Sequence, residues 1–164
     1  MTGVLPSQTL ETMLQQGEIT LSEPLIDGQI QPASLDLRLG HVAYRVRASF
    51  LSGHGNTVAD RLSEFEMHRI DLDGGAVLEK GCVYVVPLLE GLALPHDVSA
   101  VANAKSSTGR LDLLTRTITD GGEEFDRIKP GCTGPLYAEI CPRSFSVLAG
   151  SYTQLTLPTN GGGV

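Results

Sequence analysis

Two stretches hold the residue types from which a reaction site can be built. The first, Ala104-Lys105-Ser106-Ser107-Thr108-Gly109-Arg110, sets two adjacent hydroxyls and a glycine between a lysine and an arginine. That inventory suits a polyphosphate, whose oxyanions accept from hydroxyls, from backbone N–H groups exposed at glycine and from cationic donors. The second, Gly134-Pro135-Leu136-Tyr137-Ala138-Glu139-Ile140, alternates as a strand. It sends Glu139 to the same face as Tyr137 and Cys141, and Leu136, Ala138 and Ile140 to the other. A lone acid on a strand near a phosphate cradle is a candidate proton shuttle. The competing readings are a solvent-facing glutamate or an ion-pair partner of Arg143, and for the Ser pair a helix N-cap.

The elements that must position these residues are short and mostly extended. Leu10, Met13 and Leu14 predict an amphipathic helix with Ser7 as N-cap and Gly17 as its stop. Ser34 to Leu39 alternates polar and apolar residues, predicting a half-buried strand. Residues 47–62, with Gly53-His54-Gly55-Asn56, read as a loop. Strands are expected over Cys82–Leu88, over Leu92–Leu94 and Val98–Val101, and over Pro135–Cys141, Ser144–Leu148 and Gln154–Leu157. A helical turn is expected within Lys105–Leu114, its positive end toward the Ser pair. Gly121 to Glu124 reads as a turn or flap. The chain is read as one domain over residues 1–164, with 1–28 as helix and lead-in and 158–164 as a mobile tail.

The motifs also occur in a familiar order. Ile30-Gln31-Pro32-Ala33-Ser34-Leu35-Asp36-Leu37-Arg38-Leu39-Gly40, Lys-Ser-Ser-Thr-Gly-Arg, Ile128-Lys129-Pro130-Gly131-Cys132-Thr133-Gly134 and Leu136-Tyr137-Ala138-Glu139-Ile140 together resemble the dCTP deaminase branch of the dUTPase-like family. The wording is closest to the N-terminal half of the long bacterial deaminases. This resemblance implies a mainly β fold, a dUTPase-like β-clip or distorted jelly roll with a short N-terminal helix. It implies a homotrimer with sites between subunits, dCTP as ligand and Mg²⁺ accompanying the triphosphate. Glu139, Arg110 and Ser106 are then the catalytic set. Lys105, Ser106, Ser107, Arg127, Gln154 and Asp120 are the substrate and phosphate set. The pattern departs from the family at Lys129, where an aspartate is usual, and at Cys132, where an aromatic is usual. Asp120 or Asp126 could replace the missing acid. A basic segment that could close over the phosphates is not found after Leu157.

Composition narrows the field. The chain has 164 residues, 41% hydrophobic, with 19 Gly, 9 Pro and no Trp, and a formal net charge of −7. Frequent breakers between short apolar runs fit an all-β fold. The acidic balance argues against duplex nucleic acid as a partner, while Lys105, Arg110, Arg116, Arg127 and Lys129 supply the local cations a nucleotide needs. No apolar run reaches membrane-span length, and no basic n-region precedes an apolar stretch, so no membrane is expected and a cytoplasmic enzyme is. The three cysteines and four histidines lack metal spacing, and the Pro-Cys-x-x-Cys signature of zinc deaminases is missing, so zinc-free chemistry is expected.

The reaction expected is hydrolytic deamination of dCTP to dUTP and ammonia, serving pyrimidine deoxynucleotide metabolism. Glu139 would act as general base, Arg110 would orient it, and Ser106 would place water or phosphate. The alternatives are dUTP diphosphatase, weakened by Lys129, and a nucleotide-binding or trimer-forming half-domain with little activity alone.

Overall fold

Short apolar runs punctuated by glycine and proline fold here into two layers of strands with two small helices. The computed structural model describes residues 3–4, 6–32, 34–102, 113–150 and 154–161. In chain order the elements are β1 (Gly3–Val4), α1 (Ser7–Gln15), β2 (Ile19–Leu21), β3 (Ile30–Gln31), β4 (Ser34–Arg38), β5 (Val42–Val46), α2 (Val58–Phe65), β6 (Glu66–Asp71), β7 (Ala76–Leu78), β8 (Val83–Ala93), β9 (Val98–Val101), β10 (Leu113–Thr119), β11 (Arg127–Ile128), β12 (Thr133–Pro142), β13 (Val147–Ala149) and β14 (Gln154–Gly161). One sheet runs β11-β9-β14-β4-β3 with β1 on β14; the other runs β10-β12-β8-β5-β6 with β2 on β8. The pair β7 and β13 forms a separate ribbon.

The main core lies between the sheets, with Leu35, Leu37 and Leu39 against Val86, Leu88, Leu136, Ala138 and Ile140. A second cluster covers the outer face of the β8–β12 sheet, where Val85, Ile118 and Tyr137 meet Val58 and Leu62 of α2 and Phe50. That sheet is therefore buried on both faces near its centre.

Several local expectations change. The run 47–62 is not all loop, because α2 begins at Val58. The Thr57 hydroxyl accepts from the Asp60 N–H at 3.1 Å, and Val58 and Leu62 share one buried face, a capped turn hidden behind a glycine-rich approach. Ser7 is the first residue of α1 and Pro6 its cap, with no side-chain capping bond. Leu92 and Ala93 end the long strand β8 rather than starting another. The tail expected from Pro158 is strand as far as Gly161, because β14 passes from β4 onto β9 and β1 and its backbone stays paired. At the other end of the expected helical segment, Leu113 and Leu114 already belong to β10.

The strand β4 is not half-buried. Asp36 and Arg38 are as hidden as Leu35 and Leu37 beside them. A buried charge needs a partner, and the Glu90 carboxylate supplies one. It accepts from Arg38 Nε at 2.8 Å, from the Arg38 N–H at 2.7 Å and from Gln29 Nε2 at 2.9 Å. The guanidinium also donates to the carbonyls of Pro24 and Glu23, so one network ties the lead-in and β4 to β8. Nearby, His41 bridges Glu23 and Asp73. The hydrogen bond to Asp73, then that to Glu23, raises its imidazole pKa.

The β8–β12 register shifts between Pro135 and Tyr137. There β8 turns to the other sheet, bridging Leu88 to Leu39 and accepting the Gly40 N–H on the Pro87 carbonyl at 2.9 Å. A Cβ on Gly40 would stand 2.6 Å from that same oxygen. We expect Gly40→Ala to lower stability by about 1–3 kcal/mol, the usual cost of overpacking. Urea denaturation measures it, and an unchanged midpoint would contradict the close approach.

Candidate active site

Glu139 lies midway along β12. Opposite it stand Arg116 on the edge strand β10 and Val85 on β8. Strand alternation keeps Leu136, Ala138 and Ile140 in the inter-sheet core and turns Tyr137 and Glu139 to the other face. At 3% exposure Glu139 is not a solvent-facing glutamate, and its ion-pair partner is Arg116 rather than Arg143.

Arg116 Nη2 donates to Glu139 Oε1 at 3.2 Å and to Ser49 Oγ at 3.0 Å. The guanidinium carbon sits 3.8 Å from the centre of the Phe125 ring, a cation–π geometry. Phe125 is brought there by the turn after β10, which folds back on its own strand. The Asp126 N–H donates to the Thr117 carbonyl at 2.9 Å, and the Thr117 N–H returns a bond to Asp126 Oδ1 at 2.7 Å. Asp126 adopts a φ of 63° to do this, a conformation Asp tolerates better than most residues.

The electrostatics follow from this crowding. Burial pushes the Asp126 carboxyl pKa up; the Thr117 N–H and Arg116 oppose the rise, and Glu139 adds to it. Burial likewise raises the Cys141 thiol and the Tyr137 hydroxyl, the latter helped by Asp120. Two polar atoms of the pair, Glu139 Oε2 and Arg116 Nε, are buried with no hydrogen-bond partner among the described residues. An orphaned buried group costs about 1–3 kcal/mol, and such groups mark where water or a ligand binds.

Lys105, Ser106, Ser107 and Arg110 lie outside the described residues. The flanks of their segment do not. The Ala102 N–H donates to the Asp126 carbonyl at 2.8 Å, and Leu113 pairs with Pro142, three positions along β12 from Glu139. Of the remaining expected residues, Asp120 gives Oδ1 to the Val58 N–H at 2.8 Å, at the start of α2. Arg127 is exposed on the other sheet and pairs with Glu124 at 3.3 Å. It lines a groove of about 310 Å³ with Lys129, whose own partner is Glu123. Gln154 opens β14 opposite Arg38. The structure thus brings Arg116, Ser49, Phe125 and Asp126 around Glu139, and engages Asp120 and Arg127 elsewhere. In the sequence Arg116 is only one cation among five. Its signal was position, an arginine amid Thr and Leu in a strand, and only the β10–β12 register gives that meaning.

No group of three or more His, Cys, Asp or Glu is placed to hold a metal among the described residues. Among those residues no helix is long and apolar enough to cross a membrane.

Residues 1–157 match the family described as the 2'-deoxycytidine 5'-triphosphate deaminase (DCD) N-terminal domain. The chain belongs to this family. Relatives of the deaminase family include a dCTP deaminase of Haloarcula marismortui, 34% identical over 128 residues, covering 74% of this chain and 65% of the relative. A "dCTP deaminase, dUMP-forming" of a Parafrankia species is 31% identical over 137 residues, covering 84% of this chain and 64% of the relative. The crystal structure of the 2'-deoxycytidine 5'-triphosphate deaminase from Agrobacterium tumefaciens matches with a TM-score of 0.95 and 51% identity. That match covers 98% of this chain and 49% of the solved one. The chain therefore spans about half the length of that solved deaminase, and its mainly β, dUTPase-like fold is that of the family.

Proposed function

We propose that this chain forms the dCTP-binding and deaminating domain of a dCTP deaminase, folded as one unit over 1–164. The observation that carries the reading is Glu139: buried, fixed through Oε1 by Arg116, with Oε2 unengaged among the described residues and the flanks of the Lys105–Arg110 segment on the neighbouring strand and turn. In this reading Glu139 takes a proton from the attacking water as its oxygen bonds to C4 of cytosine. Glu139 delivers that proton to N3, then takes the proton of the adduct's C4 hydroxyl and passes it to N4, so that collapse forms the C4 carbonyl, breaks the C4–N4 bond and releases ammonia. Arg110 and Ser106 orient water and base. Lys105 and Arg127 neutralise phosphate, Ser107 and Gln154 donate hydrogen bonds to its oxygens, and Asp120 or Asp126 meets the sugar. The absent zinc signature of the sequence favours a zinc-free reaction, and Mg²⁺ enters on the triphosphate as part of the substrate. A homotrimer in the cytoplasm is the setting the family resemblance suggests.

A second product is favoured by the relatives named as dUMP-forming. In that case water also attacks the triphosphate, and dUMP and diphosphate replace dUTP. Incubating the chain with dCTP and Mg²⁺, with and without a zinc chelator, separates these by ion exchange. Ammonia with dUTP or dUMP, unaffected by chelation, is the expected outcome. Turnover of dUTP without ammonia from dCTP would overturn deamination in favour of a diphosphatase. Binding of dCTP without turnover would point to a half-domain inactive alone.

A further inference from the structure

A carboxylate that works as a base must offer one defined oxygen. Glu139 has two, and the structure treats them differently. Oε1 is engaged by Arg116 Nη2, while Oε2 is buried with no partner among the described residues. Arg116 is itself held on three sides: by its place opposite Glu139 in the β10–β12 ladder, by Ser49 Oγ, and by the Phe125 ring against its guanidinium plane. Ordinary cross-strand charge pairs lie on exposed faces and need no such packing.

We propose that Arg116 is a positioning residue, holding Glu139 through Oε1 so that Oε2 is the oxygen that accepts the proton. This rests on the deaminase reading above, with Glu139 as the base. The guanidinium fixes the plane of the carboxylate. Phe125 and Ser49 keep the guanidinium from swinging into solvent, toward which it is 30% exposed. Asp126 from the turn after β10 and Cys141 along β12 face the same pair: burial raises the pKa of each, Arg116 holds it down and Glu139 pushes it up, with Arg143 also lowering that of Cys141.

The test compares wild type, Arg116→Gln and Arg116→Lys in the full chain, with thermal unfolding confirming that each folds. At neutral pH kcat in Arg116→Gln falls by about 10- to 100-fold with KM nearly unchanged, the signature of an interaction used in the transition state. Arg116→Lys keeps the charge but not the planar guanidinium, and it restores only part of kcat. A second readout needs no turnover: dCTP affinity measured by calorimetry stays within a few-fold of wild type in both variants. If wild type deaminates dCTP and Arg116→Gln keeps its kcat, or loses dCTP affinity in step with it, the positioning role is overturned while the deaminase reading stands. If wild type lacks deaminase activity, that reading fails and the role of Arg116 fails with it. Should Arg116→Gln not fold, Arg116→Lys with wild-type kcat overturns the proposal, and reduced kcat with an unchanged KM upholds it.

Discussion

Glu139→Gln is expected to lower dCTP turnover by about 10²- to 10⁴-fold, the usual contribution of a positioned general base. The substitution preserves shape, and the amide oxygen can still accept from Arg116. What is lost is basicity at the second position, where an NH₂ replaces Oε2. Stability should change little. Glu139 is buried, but Arg116 keeps Ser49 and Phe125 and reaches solvent, so no fully buried cation is stranded. Ammonia release and a thermal melt on the same preparation provide the check. Turnover within a few-fold of wild type, in a preparation whose parent is active, would remove Glu139 from the mechanism.

The second large effect concerns the fold. Glu90→Ala should cost about 3–5 kcal/mol, as breaking one side of a buried ion pair does. Arg38 and Glu90 side chains are both at 0% exposure. Removing the carboxylate takes one acceptor from three donors at once: Arg38 Nε, the Arg38 N–H and Gln29 Nε2. Glu90→Gln retains one acceptor oxygen without the charge and should fall between. Urea denaturation of the two variants gives the comparison, and a loss below about 1 kcal/mol for Glu90→Ala would mean that the network relaxes around the gap. The expected loss of about 3–5 kcal/mol is a large fraction of the stability of an ordinary domain.

The sequence made legible what depends on local pattern. The alternation over Leu136–Cys141 put Glu139 on the right face, and the apolar spacing at Leu10 and Met13 marked α1. What it could not carry was pairing between distant strands. The alternation over Ser34–Leu39 reads as half-buried, whereas the Arg38 guanidinium is hidden and meets Glu90 on another sheet, because nothing in Ser34–Leu39 reveals that both faces of the strand are covered. Arg143 was weighed as the partner of Glu139 because it is near in sequence, yet register brings Arg116 instead. Composition also misled at Pro158–Gly161, where proline and glycine suggested a tail but backbone pairing decides. The resemblance supplied Lys105, Ser106, Ser107 and Arg110, which lie outside the described residues, and the roles given to them are tested only by experiment.

One consequence of β14 concerns time rather than architecture. It is the strand between β4 and β9, joining Leu35 to Leu157 and Ala100 to Thr159. Without it that sheet separates into two fragments, each with an open edge. Pairings so distant in sequence form slowly, since a long loop must close before any bond rewards it. On the ribosome the partners of β14 must therefore wait, edges bare, until the chain around Gln154 has emerged. Amides of β4 and β9 should gain protection together and late in refolding, and that delay is the interval in which the protein is most exposed to aggregation.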